Sequence, residues 1–191
     1  MPRASAAEAA ETARRILEAA TAHFAEYGAA AASVDDIARA AGVTRGAVYH
    51  HYASKPGLFA AVAAAQQQLI ADAIIAATDG QDADAALRSG SHAFLDAITR
   101  GAAARVLLVE GPAVLSWAEW RRTDAEGAVM HLRDGLREVG IEPRLLGAMT
   151  AALSGAMNEL ALWLSEHPAD DAARTHAHRS LDLILDSIIP A

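Results

Sequence analysis

Only Gly42 and Val43 separate a segment that has to end a helix from one that has to begin another. Upstream, Ser33-Val-Asp-Asp reads as an N-cap followed by acids in the first turn, where the helix dipole favours negative charge. Ile37, Ala38 and Ala41 give this short helix an inner face, and Gly42 supplies the permissive backbone of a C-terminal stop. Thr44 is a second N-cap, so the next helix starts at once and runs to about Tyr52. Two short helices joined by so brief a glycine-containing turn must cross steeply, as in a helix-turn-helix. Val48, with Ala47 as a partial partner, faces inward. Arg45, Gly46, Tyr49 and His50 are left on the outer side and leading end.

The flanking punctuation predicts an all-α chain of about nine helices. A first helix over about Ala9–Tyr27 carries the stripe Ile16, Leu17, Ala20, Phe24 and Tyr27, with Gly28 placed to end it. Ser54 caps a fourth helix that tolerates Pro56 in its first turn, is tied to the first three by Leu58, Phe59 and Val62, and continues to about Thr78. A fifth follows Gly80. A sixth lies around Ala103–Val109, cut by Gly111-Pro112. The remaining three run over about Val114–Val139, Pro143–Glu166 and Asp170–Ile189. Abundant alanine with few β-branched or aromatic residues agrees with helices over sheets.

Charge divides the chain unevenly. Residues 1–60 are neutral, the whole net charge of −8 lies in residues 61–191, and no acid occurs between Asp36 and Asp72. That window holds Arg39, Arg45 and the only lysine, Lys55. A polyanion is repelled by the larger part and tolerated here. The exposed groups suit a duplex. Thr44 and the free amides at the helix N-terminus favour an anionic oxygen. Tyr49, His50 and His51 offer hydrogen bonds to phosphates and rings to sugars or thymine methyls. Gly46 allows close backbone approach, the Arg45 fork matches guanine O6 and N7, and Lys55 suits a phosphate.

Residues 16–62 resemble the N-terminal domain of tetracycline-repressor (TetR) family transcription regulators. The resemblance rests on ATAHFAEYG (Ala20–Gly28), I-A-x-x-A-G-V (Ile37–Val43), T-x-G-x-V-Y-x-H-Y (Thr44–Tyr52) and S-K-x-x-L-F (Ser54–Phe59), in order and at spacing. It implies DNA contact by Thr44, Arg45, Gly46, Tyr49, His50 and Lys55, with Ser33 touching phosphate. His51 either joins them or fills the junction before the fourth helix. Ala47 departs from a polar residue that would add base contacts, leaving Arg45 and His50 as readers. The resemblance also implies a head over residues 1–60 and an effector-binding and dimerisation domain over 61–191. The expected protein is a cytoplasmic, ligand-responsive repressor that binds a palindromic operator as a homodimer.

The larger part adds its own signals. Leu146, Met149, Leu153, Met157, Leu160 and Leu164 recur at helical spacing, and Leu181, Leu183, Ile184, Leu185, Ile188 and Ile189 make the last helix apolar beyond one core face. Such width predicts a second face for a partner copy. His92, Phe94, Trp117, Trp120, Met130 and Met157 are candidates to line an effector cavity. The alternative is a helical protein-interaction adaptor without sequence-specific DNA binding.

No cofactor or catalytic motif occurs. His176 and His178, two apart on a helix, point in different directions and make a poor metal pair, so no metal site is expected. Glu110 and Glu159 read as isolated acids, solvated or satisfied locally. The apolar run Val106–Leu115 is too short to span a bilayer, and the N-terminus lacks the apolar core of a signal peptide, so no membrane partner is expected.

Overall fold

A computed structural model describes residues 2–114, 127–167 and 169–189, and among these the chain is entirely helix and connection. The head holds α1 (Pro2–Ala31), α2 (Val34–Ala40), α3 (Arg45–Tyr52) and the start of α4 (Lys55–Thr78). Ile16, Ala20 and Phe24 are wholly buried, as their spacing predicts. Tyr27 is not part of that stripe: it is 50% exposed, and its ring lies against His23 at 5.5 Å instead. Three residues after Phe24 it is turned about 60° off the buried line. Phe24 meets Phe59 of α4 edge to face at 5.2 Å, and this pair sits beneath the helix-turn-helix.

The turn is built as its residues dictate. Gly42 has φ +66°; its N–H bonds the Arg39 carbonyl, and the Val43 N–H reaches back to Ala38, closing a Schellman stop. Ser33, Thr44 and Ser54 each accept a backbone N–H three residues on (Asp36, Ala47 and Gly57), so all three helices are capped as expected. Tyr52 donates its hydroxyl to the Ala13 carbonyl at 2.8 Å, fastening α3 to α1, and burial raises its pKa.

The body follows. α4 makes its largest contact with α5 (Ala83–Ile98), and beyond it residues Arg105–Glu110 form a π-helical segment running into α6 (Gly111–Val114). The helix is therefore not cut at Gly111-Pro112. The Gly111 N–H bonds Val106, five residues back, and helix continues through this wider turn into Pro112, which stands near the start of α6 with no N–H to donate. α7 (Ala128–Glu138), α8 (Pro143–Ser165) and α9 (Asp171–Ile188) complete the body. Of the helix expected from Val114, only the α7 part lies within the described residues.

One apolar core runs from Ile16 through Leu185, and α4 contributes to both ends of it: Leu58, Phe59 and Val62 toward the head, Ile70 and Ile74 toward α5. α4 and α8 also have the length and hydropathy to cross a bilayer, which the run at Val106–Leu115 lacks. Alanine raises their hydropathy; Leu58, Phe59, Val62, Ile70 and Ile74 of α4 and Leu146, Leu153, Met157 and Leu164 of α8 enter this core, while Leu69, Ile75, Leu145 and Trp163 are exposed.

α5 and α9 meet across a polar seam. Arg88 pairs with Asp186, Arg174 with Asp96, and His92 stacks on His178 with their Nδ1 atoms 2.7 Å apart, one ring donating and the other accepting. His92 Nε2 lies 2.9 Å from Asp182, and His178 Nε2 lies 3.2 Å from Asp96.

Candidate nucleic-acid interface

α3 buries Val48, 1% exposed, and leaves Arg45, Gly46 and His50 exposed. Tyr49 is half-buried, its ring against the core and its hydroxyl at the surface. At about 100° per residue, Arg45, Gly46, Tyr49 and His50 span roughly 140° of one face. Thr44 is exposed at its leading end with its hydroxyl hydrogen free for a further acceptor, because the capping bond uses only its oxygen. His51 is half-buried between His50 and Tyr52, with ring centroids 5.6 and 6.2 Å away. Lys55 donates to the Ala30 carbonyl at 2.9 Å, which places it beside the end of α1, three residues from Ser33.

Arg45 is held rather than free. Nη1 donates to Asp35 Oδ2 at 2.6 Å, Nη2 donates to the Tyr49 hydroxyl at 3.2 Å, and the guanidinium carbon sits 5.3 Å from the Tyr49 ring centre. The Tyr49 hydrogen bond, then the Asp35 charge, raise the Arg45 pKa further. Arg14, on α1, is ion-paired with Glu11 and Glu18.

Behind this face lies a joint absent from the sequence reading. Gly28 adopts φ +77°, ψ 164°, a region open essentially to glycine alone, and breaks α1 before its last residues. Glu110 Oε2 accepts the freed Ala29 N–H at 3.0 Å. Arg105 donates to the carbonyls of Ala25 and Glu26 at 2.7 and 3.0 Å. The π-helical segment of the body thus clasps the end of the head's first helix from both polarities. Glu110 is thus satisfied only in part locally: Arg105 lies 3.7 Å away on the same segment, but its hydrogen-bond partner Ala29 is 81 residues distant. Only its placement in an apolar run of the sequence hinted at this.

In the body, a cavity of about 300 Å³ lies among α4, α5, α7 and α8. Phe94 and Met157 line it, joined by Ile74, Leu87 and Leu132 and by His131, Asp134 and Glu138. His92 is not among the lining residues, being turned into the seam with His178. Met130 is 48% exposed and also lies outside the lining, because its neighbours His131 and Leu132 take the inward positions. Trp117 and Trp120 lie outside the described residues.

Among the residues expected at a partner interface, Leu146, Leu153, Leu164, Leu181 and Leu185 are buried in the chain's own core and are closed to a second copy. Met149, Leu160, Ile184 and Ile188 are half-buried. On α8 and α9 the large apolar side chains left exposed are Leu145, Trp163 and Leu183.

A capped helix-turn-helix with an exposed cationic and aromatic face, mounted on a larger helical body, defines a DNA-binding regulator. Residues 16–62 match the family of "bacterial regulatory proteins, tetR family", and residues 84–188 match the "tetracyclin repressor-like, C-terminal domain". The second match alone covers more than half of the chain, and the chain belongs to the TetR family, whose members are DNA-binding transcriptional regulators rather than enzymes.

Among curated relatives it is 51% identical over 67 residues to the HTH-type transcriptional regulator SrpR of Pseudomonas putida. It is 44% identical over 59 residues to a probable acrEF/envCD operon repressor of Escherichia coli. These matches cover 35% and 31% of this chain, and only 32% and 27% of those relatives. A solved TetR-family transcriptional regulator from Pectobacterium atrosepticum aligns over 97% of both chains at 28% identity with a TM-score of 0.74. PfmR from Thermus thermophilus aligns over 90% of this chain and 97% of its own at 26% identity and 0.69.

Proposed function

We propose that this chain is a homodimeric repressor whose paired heads bind a palindromic operator and release it when a small molecule enters the body. The observation that carries the reading is the α3 face: Val48 is sealed inside while Arg45, Gly46 and His50 stand at the surface with Thr44 and Tyr49. Repression follows the operon repressor named among the relatives. Residues 1–60 form the head and 61–191 the effector and dimer part, with α4 shared between them. Ser33, Thr44, Lys55 and His51 position the head on phosphates, while Arg45 and His50 read base edges. Action on DNA places the protein in the cytoplasm.

The test is anisotropy of labelled duplexes against salt, comparing the segment upstream of the coding region with random sequence. Preference for the upstream segment by about a thousandfold or more, with a steep salt slope, is expected. Equal affinity for both duplexes overturns the reading. Arg45→Ala is expected to cost roughly 1–3 kcal/mol on the operator and little on random DNA. Lys55→Ala is expected to weaken both alike and flatten the salt slope by about one unit per subunit.

The dimer forms through α8 and α9. Leu145, Trp163 and Leu183 stand uncovered, and a side chain at Gly147 or Gly155 would meet nothing within 4 Å, leaving room for close helix approach. Leu183→Glu combined with Trp163→Glu is expected to yield a folded monomer in sedimentation velocity, with helicity unchanged. Retention of the dimer assigns the contact elsewhere.

The apolar cavity suits an effector with a hydrophobic body. Its walls include α4 and α5, so ligand binding biases the helix that also supports the head. A form in which the two heads no longer match grooves about 34 Å apart then becomes favoured.

A further inference from the structure

We propose that Asp35 is a specificity-determining residue of the DNA-binding face, a carboxylate that withholds Arg45 from phosphate and yields it only to the correct base. The inference rests on the function proposed above.

Three observations converge on it. Asp35 from α2 and Tyr49 from α3 together engage both terminal nitrogens of Arg45, at 2.6 and 3.2 Å. Asp35 and Arg45 lie ten residues apart and on different helices, so this is not the routine pairing of neighbours on one turn. Both side chains are about half exposed, 55% and 54%, so the pair stands where a duplex would arrive. The adjacent acid behaves differently: Asp36 pairs with Arg39 within α2 and receives none of the α3 face.

The chemistry follows from competition. A phosphate that takes the Arg45 N–H now given to Asp35 displaces that carboxylate, and the displaced charge then faces the DNA backbone at close range. That opposition is the same at every sequence. A guanine placed beneath the fork offers two coplanar acceptors, O6 and N7, to replace the two partners that Arg45 gives up; a phosphate can also meet the fork with two oxygens, but its negative charge then opposes the displaced carboxylate. On random DNA the ion pair persists and Arg45 contributes little to affinity. Discrimination thus arises partly by weakening the wrong complexes. The placement also explains an acid at the edge of a window otherwise free of acids from residue 37 to 71. A helix N-terminus favours an acid on dipole grounds alone, but that requirement is met equally by Asp36.

Asp35→Asn tests this in the full-length dimer, with Asp36→Asn as the control for helix dipole and overall charge. Thermal unfolding by circular dichroism first establishes that both variants are folded. Exposed ion pairs are weak, so the expected effect on random duplex is moderate: about threefold to tenfold tighter binding for a dimer. The salt slope on random DNA should steepen by about one unit per subunit, because a freed Arg45 now neutralises a phosphate. Operator affinity should change by less, so the operator-to-random ratio falls. The effect should vanish in an Arg45→Ala background, and Asp36→Asn should leave the ratio in place. Equal tightening on both duplexes by Asp35→Asn, or persistence of its effect without Arg45, overturns the inference and leaves the operator reading intact. A wild-type protein that grips no duplex overturns both.

Discussion

Phe24→Ala is expected to lower the stability of this protein by about 3–5 kcal/mol. The ring is fully buried and meets Phe59 edge to face with centroids 5.2 Å apart, so truncation removes both its transfer free energy and an aromatic contact. The hole cannot be filled cheaply. Ile16 and Ala20 of α1 and Leu58 and Val62 of α4 are themselves wholly enclosed, with α4 capped by Ser54 and α1 tied to α3 by the Tyr52–Ala13 hydrogen bond. For a chain of this length, such a loss lowers Tm by roughly 6–20 °C. Urea unfolding followed by circular dichroism measures it, and a loss below about 1 kcal/mol would show that the head core repacks freely. The consequence reaches function because α3 rests on this pair. A variant that remains folded at low temperature should still bind DNA, with affinity that fails on warming well before the body melts.

The head was largely legible in the sequence because its determinants are local. A serine, a glycine and a threonine at Ser33, Gly42 and Thr44 specify caps through bonds that reach no further than three to five residues, and each is found. The stripe of Ile16, Ala20 and Phe24 follows from periodicity alone. Other expectations failed where the partner is distant. Periodicity showed that α8 and α9 are broadly apolar but not which side the chain itself covers. Leu153, Leu181 and Leu185 went to the internal core, while Leu183 remains 57% exposed. His92 reads as a cavity residue until His178, 86 residues later, is brought against it. Glu110 reads as an acid solvated or satisfied locally, which Arg105 meets in part, but nothing near it in sequence announces the Ala29 amide. Asp35 reads as a dipole acid because its second role needs the crossing of α2 and α3. Fold class and the helix-turn-helix are encoded by neighbours, whereas the joint, the cavity lining and the side of α8 and α9 left exposed depend on contacts across the whole chain.

The joint is where a single methyl group should do the most harm for its size. Gly28→Ala is expected to cost about 2–4 kcal/mol, from two separable sources. Backbone at φ +77°, ψ 164° is closed to a residue with a Cβ, and that atom would stand 2.5 Å from Glu110 Oε1. Glu110→Ala separates them. Alone, it leaves the Ala29 N–H without its acceptor and Arg105 without its carboxylate, a loss of about 1–3 kcal/mol. Combined with Gly28→Ala, it removes the collision but not the backbone strain. The double variant should therefore be more stable than the sum of the single losses allows, by about 1 kcal/mol or more. Glu110→Gln keeps the bulk and should give no such relief. Strict additivity would mean that the carboxylate moves aside at no cost, and that Arg105 alone holds the end of α1. DNA binding supplies an independent reading. Operator affinity requires two heads at a fixed separation, whereas random DNA tolerates a loose one. Loosening the clasp by Glu110→Ala should thus weaken operator binding more than random binding, although Glu110 belongs to the body and touches none of the side chains on the α3 face.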